Sequence, residues 1–139
     1  MHYKNGNKQQ NKPKKHLKVL LINKGTSHID THKIVIKNNI TRSKADLVVI
    51  SEAQVGLETN TLDTDYPEYN KELKFMQGAA KSRIAVLIRK GISYKRISNI
   101  EHDDTSAIFL KIRMTHSKNI NVVAIYRQWN LPPETLYWC

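Results

Sequence analysis

Residues 17–22 read LKVLLI and stop at Asn23; residues 46–50 read DLVVI and stop at Ser51 and Glu52. Near-continuous Val/Ile/Leu runs of this kind predict strands covered on both faces, the pattern of an inner, helix-flanked sheet. The stretch between them is long enough for one crossover helix, so the two strand ends are expected side by side on one sheet edge. Thr26 or Ser27 can cap a helix over about 28–42, with Asp30 favourable in its first turn. Ile29, Ile36 and Ile40 fall near one face of that helix. The run Ile34-Val35-Ile36 is β-branched and a poor helix former, so packing must hold the element.

Residues 53–77 hold Gly56, Pro67 and many Asn, Asp and Thr, with Gly78 directly after them. They read as a long surface connection with one short strand. From Ser82 the pattern changes to strand after strand. RIAVLIR at 83–89 comes first, then 93–97 after a turn at Gly91. AIFLKIRM at 107–114 follows the Asp103-Asp104 turn, and NVVAIYR at 121–127 follows Ser117-Lys118-Asn119. Such spacing predicts an antiparallel meander or a sandwich sheet.

Three apolar strands thus end on groups suited to phosphate chemistry: Asn23, Glu52, and the IYRQWN segment with Tyr126, Arg127 and Asn130. In open α/β sheets the carboxyl edge of the strands is where ligands bind. Glu52 offers oxygen to a hard cation, and Asn23 can ligate a metal or orient a phosphate oxygen. Tyr126 can hydrogen-bond a phosphate, and Arg127 can grip one bidentately. Each residue alone reads as an ordinary solvated strand end; their coincidence points to a metal and phosphate site. Other motifs fall away. His28 and His32 stand four apart, but HExxH and a third ligand are missing, so surface histidines are expected. Lys24-Gly25-Thr26-Ser27 follows a strand without the GxxxxGK[ST] pattern of a phosphate loop.

Charge favours a polyanionic partner. The 139 residues carry a formal charge of +11, from 23 Lys and Arg against 12 Asp and Glu. The segment 1–16 holds five lysines and no acid, which leaves +6 for the rest, so the excess persists into the folded part. Residues 1–16 have almost nothing to bury and read as a disordered basic tail; 17–139 read as one domain, with 40% hydrophobic residues in the whole chain. Cys139 is the sole cysteine, and no signal peptide or membrane span is evident, so an intracellular and nuclear rather than secreted protein is expected.

With these blocks in order, the chain resembles the endonuclease/exonuclease/phosphatase superfamily. The likeness is strongest to the endonuclease domain that precedes reverse transcriptase in non-LTR retrotransposons. LKVLLIN matches the family's opening strand ending in Asn, at Asn23; ADLVVISEA at 45–53 matches its second strand, with Glu52 at the metal-binding position. IAVLIRKGISYKRI at 84–97 and VVAIYRQWNLPP at 122–133 match the next two blocks, so the resemblance covers 17–133. Departures are Gly25 where an Asp is common, Ile22 for Trp, and Ser82-Arg83 for Gly-Gly. The family's later Asp-x-Asn and Asp-His motifs are not encoded before Cys139.

The resemblance implies a partial four-layer α/β sandwich of DNase I-like type, a mixed β-sheet with one flanking helix. It implies a Mg²⁺-dependent phosphodiesterase, or one using Mn²⁺, that nicks DNA for retrotransposition. Asn23, Glu52 and Tyr126 are then the catalytic residues, Asn23 and Glu52 the metal ligands, and Arg127 and Asn130 the phosphate-binding residues. The expected partners are DNA or RNA, together with the missing C-terminal half or a reverse transcriptase domain, and no membrane. Without the later motifs, the fragment is expected to bind metal weakly, to be inactive alone, and to leave a sheet face unpartnered. Two alternatives stand beside this reading: a noncatalytic basic nucleic-acid-binding module, and a phosphoinositide-type phosphatase of the same superfamily.

Overall fold

The computed structural model describes residues 15–23, 30–56, 62–115 and 118–127. The first strand, β1 (Val19–Asn23), is followed by α1 (Asp30–Ser43) and β2 (Leu47–Gly56). After the four-residue α2 (Leu62–Asp65) come β3 (Tyr69–Leu73) and β4 (Lys81–Arg89). The chain continues as β5 (Tyr94–Arg96), a short 3-10 turn, β6 (Ser106–Arg113) and β7 (Asn119–Tyr126). Two sheets result, one of order β1-β2-β4-β3 and one of order β5-β6-β7. β1 and β2 are parallel, in register from Val19↔Leu47 to Asn23↔Ser51, as a crossover helix between them requires. All other pairings are antiparallel, so the first sheet is mixed.

Strand alternation sorts the apolar side chains into two cores. Ile84, Val86 and Ile88 of β4 face Ile108, Leu110 and Ile112 of β6 between the sheets. Ala85 and Leu87 face the other way and pack with Ile36 and Ile40 of α1. The order is therefore helix, mixed sheet, antiparallel sheet: a mixed α/β fold with one flanking helix. Ile36 and Ile40 stand four apart and are the buried stripe of α1, while Ile34 and Val35 are exposed. Packing thus holds this helix, as its β-branched run demands. It ends at Lys44, whose φ of 52° is left-handed and whose N–H donates to the Ile40 carbonyl at 3.3 Å.

Polar contacts lock the sandwich at two places. At the start of β2 the buried Asp46 carboxylate accepts the Lys18 N–H at 2.9 Å, and Arg89 of β4 lies 3.8 Å from it. Between the sheets, Arg96 of β5 reaches Glu72 of β3 at 3.5 Å and Glu101 at 2.9 Å, while Tyr94 donates to Glu72 at 2.8 Å. These contacts close the β3–β5 side. The β1 side stays open, with Leu21 75% and Val19 46% exposed.

Several expectations are corrected. β1 is an edge strand, so its LKVLLI run is not covered on both faces. The segment 53–77 contains the short strand expected, β3, which pairs along β4 at the other edge of the sheet, but it is less of a connection than expected because β2 runs on to Gly56. The strand at 83–89 joins the first sheet, and only β5 to β7 form the meander. The second sheet packs on the first, while the outer face of β7 leaves Val123 and Ile125 exposed, as expected of a half-sandwich, and the β1 margin is open as well. Residues 1–14, the cap at Thr26 or Ser27, His28 and Cys139 lie outside the described residues, and Lys15 and His16 are exposed.

Candidate functional site

The C-terminal ends of β1, β2 and β7 carry the predicted groups. Asn23 is the last residue of β1 and pairs in register with Ser51, next to Glu52. Ser51 Oγ donates to the Ile22 carbonyl at 3.4 Å, tying the two strand ends together. Beyond Ser51 the ladder with β4 breaks. Ser51 pairs with Ile84 and Val55 with Ser82, so Glu52, Ala53 and Gln54 all stand opposite the single residue Arg83. A bulge of this kind re-aims side chains at a sheet's end.

The backbone shows how the bulge works. Glu52 has φ 55° and Gln54 φ 53°, left-handed conformations costly for residues with a Cβ. Val48 and Ile50 point to the helix side, and strict alternation would send Glu52 there as well. Instead Ala53 takes the helix-side place, and the Glu52 carboxylate lies near enough to the Tyr126 hydroxyl of β7 to act on it electrostatically. The left-handed turn has thus shifted the alternation by one residue and turned a carboxylate across the gap between the sheets. Conformations of this cost persist where surrounding structure over-determines them, and they cluster at functional sites.

The electrostatics are those of a small charged corner. Burial, followed by the Glu52 carboxylate, holds the Tyr126 hydroxyl above the usual phenol range, while the nearby Arg83 guanidinium pulls it back down. Tyr126 stays a neutral donor at neutral pH. Arg127, half-buried, follows directly at the end of β7.

Of the five predicted residues, the fold brings Glu52 and Tyr126 close together and sets Asn23 one register step from Glu52. Arg127 is at the same end, and Asn130 lies outside the described residues. Among the described residues, no three His, Cys, Asp or Glu side chains converge as a metal cluster. The donor set is one carboxylate with an amide nearby, which suits Mg²⁺, a cation that takes one or two protein carboxylates and completes its shell with water and phosphate. Sequence reasoning missed Arg83, noted there only as a substitute for glycine. A usable signal was present: an antiparallel strand begins where its neighbour ends, so the first residues of β4 had to lie beside the end of β2.

Comparison with known proteins agrees with this architecture. No protein-family model and no curated protein matches the chain. Among solved structures, the endonuclease domain of TRAS1, a telomere-specific non-LTR retrotransposon, superposes with a TM-score of 0.62 at 17% sequence identity. The match covers 86% of this chain and 49% of that one, so the chain spans about half the length of that domain. No helix among the described residues is long and apolar enough to cross a membrane. The chain is an α/β sandwich with the fold of that retrotransposon endonuclease domain.

Proposed function

We propose that residues 17–139 supply one half of a Mg²⁺-dependent endonuclease-type site that engages a DNA phosphodiester. The observation that carries this reading is the left-handed Glu52, turned out of the strand alternation at the end of β2, with Asn23 one register step away on β1. Strained backbone of this kind persists where surrounding structure over-determines it, and it clusters at functional sites. Glu52 with Asn23 would hold Mg²⁺ or Mn²⁺, which when bound supplies positive charge against the charge developing on a phosphoryl group. Tyr126 would donate to the Glu52 carboxylate and orient it, and Arg127 with Asn130 binds phosphate oxygens. The +11 charge and the basic segment 1–16 add sequence-independent attraction for the nucleic-acid backbone.

Among the described residues no three acidic, histidine or cysteine side chains converge, so the chain alone is expected to bind DNA without cutting it. Cleavage then requires a partner, either a C-terminal half or an attached reverse transcriptase region, and DNA as substrate implies an intracellular, nuclear place of action. The test compares duplex binding and plasmid nicking with and without Mg²⁺, for the wild type and Glu52→Gln. The expected result is binding strengthened by Mg²⁺, loss of that increment in Glu52→Gln, and no nicking by either chain. Binding indifferent to both Mg²⁺ and Glu52 would favour a noncatalytic basic module, and Mg²⁺-dependent nicking by the wild type would show the fragment to be an enzyme. Preferential binding of a phosphoinositide headgroup over DNA would instead favour a phosphatase of the same fold.

A further inference from the structure

Along its strands the sandwich has two unlike ends. β1 and β2 begin, and α1, β4 and β6 finish, at the end away from Glu52. A chain of backbone hydrogen bonds ties these termini together. The Lys18 carbonyl accepts the Asp46 N–H at 2.8 Å, the Asp46 carbonyl that of Arg89 at 2.9 Å, and the Arg89 carbonyl that of Ile92 at 3.2 Å. Next in the chain, the Ser93 carbonyl accepts the Arg113 N–H at 3.0 Å, and the Lys118 carbonyl that of Met114 at 2.7 Å. The register of the second sheet agrees, since Arg113 pairs with Asn119 at the far end of β7 from Tyr126.

These termini carry cations. Lys18, Arg42, Lys44, Arg113 and Lys118 are exposed, and Lys90 is half-buried. Arg42 lies in the last turn of α1, where a cation also meets the negative end of the helix dipole. The acids on the segments that meet here offset little of this charge. Asp46 is buried and accepts the Lys18 N–H, Asp65 is paired with Lys33 at 3.1 Å, and Glu68 is exposed. Glu52 and the exposed Asp103 and Asp104 stand at the other end, where β6 begins beside Tyr126. The chain enters the basic end through Lys15, from a segment 1–14 with four more lysines and no acid. The described tyrosines of this end, Tyr66, Tyr69 and Tyr94, are buried, so a base finds no ring to stack on. Dispersed positive charge on strand and helix ends suits a row of phosphates and gives no readout of bases.

We propose that this basic end is a surface for the backbone of double-stranded nucleic acid, separate from the Glu52 corner. β7 alone runs eight residues between the two ends, about 25 Å. One phosphodiester cannot touch both. The inference takes its ligand class from the placement of charge and needs no metal, so it goes beyond the function proposed above and does not depend on Glu52. It makes the fold two-ended, with an anchor for duplex backbone at one end and the carboxylate corner at the other.

The experiment is fluorescence anisotropy of a short labelled DNA duplex with the full chain in EDTA, across a KCl series. Two double variants remove charge from the basic end, Arg42→Gln with Lys44→Gly and Arg113→Gln with Lys118→Gln. A third, Lys37→Gln with Lys81→Gln, removes the same charge from exposed positions elsewhere. Lys44→Gly relieves a left-handed φ of 52° as it removes a charge, so weaker binding by that protein is not a folding defect. Each double variant of the basic end is expected to weaken binding roughly tenfold and to lower the slope of log affinity against log salt by about two. The third double variant and Glu52→Gln should keep the wild-type slope. Wild-type affinity in both variants of the basic end would overturn the inference. So would an equal loss in the third double variant, which would reduce the effect to net charge, or in Glu52→Gln, which would merge the two surfaces. Tighter binding to phosphatidylserine vesicles than to the duplex would overturn it in favour of an anionic membrane.

Discussion

At the scale of single residues, the decisive feature is a conformation. Glu52 and Gln54 both sit in the left-handed region, one on each side of the buried Ala53. Each costs on the order of 1–2 kcal/mol relative to a right-handed alternative. Glycine would remove that cost, so Gln54→Gly is expected to stabilise the chain by about 1 kcal/mol, read as a higher urea midpoint with an unchanged slope. A destabilised Gln54→Gly would mean that the Gln54 side chain contributes more than its backbone costs. Glu52 was legible in the sequence as a polar residue ending an apolar run. Its left-handed turn was not, because Glu has no particular preference for that region and no Gly marks the bulge. Arg83 stayed hidden for a related reason: its place opposite the bulge is a matter of register, and register is a tertiary property.

The elements show how similar sequence patterns reach different environments. LKVLLI and DLVVI both read as strands buried on two faces. β2 lies between β1 and β4 and is so buried, whereas β1 ends the sheet and turns Leu21 to solvent. Hydrophobic runs report average surroundings and cannot say which strand takes an edge. What anchors β1 is its start. Asp46 accepts the Lys18 N–H, and the Lys18 carbonyl accepts the N–H groups of Asp46 at 2.8 Å and Leu47 at 3.1 Å. Removing the carboxylate leaves a donor unmet and Arg89 without its acid. Asp46→Ala should therefore cost about 2 kcal/mol, and Asp46→Asn, which keeps an acceptor, about half of that, measured by chemical denaturation. Equal costs would assign the effect to the ion pair with Arg89 rather than to the bond that starts β1.

The described residues form a sandwich fastened along the β3–β5 side, with apolar side chains left open along β1 and on the outer face of β7. The sequence showed the helix between two parallel strands and the later meander, and so most of the layer order. It did not show that 83–89 would join the first sheet, because an apolar strand carries no label for its partner. Titration is a property of the assembled layers as well. Burial, with the Asp65 charge second, pushes the Tyr66 hydroxyl from 10.0 up to about 12. A group with a raised folded pKa contributes stability that is intact below the unfolded value and lost as pH rises through the folded one. Stability should accordingly decline between pH 10 and 12, by on the order of 2–3 kcal/mol from this group, and Tyr66→Phe should flatten that decline. Parallel alkaline curves for the two proteins would contradict the assignment. The account's central claim, that the bulge turns Glu52 into a metal and phosphate corner with Tyr126, is tested most directly by paramagnetic Mn²⁺ in an amide-resolved NMR titration. The predicted result is broadening centred on Asn23, Ser51 to Ala53 and Tyr126 that disappears in Glu52→Gln; broadening centred instead on Asp103 and Asp104, or unchanged by Glu52→Gln, would contradict it.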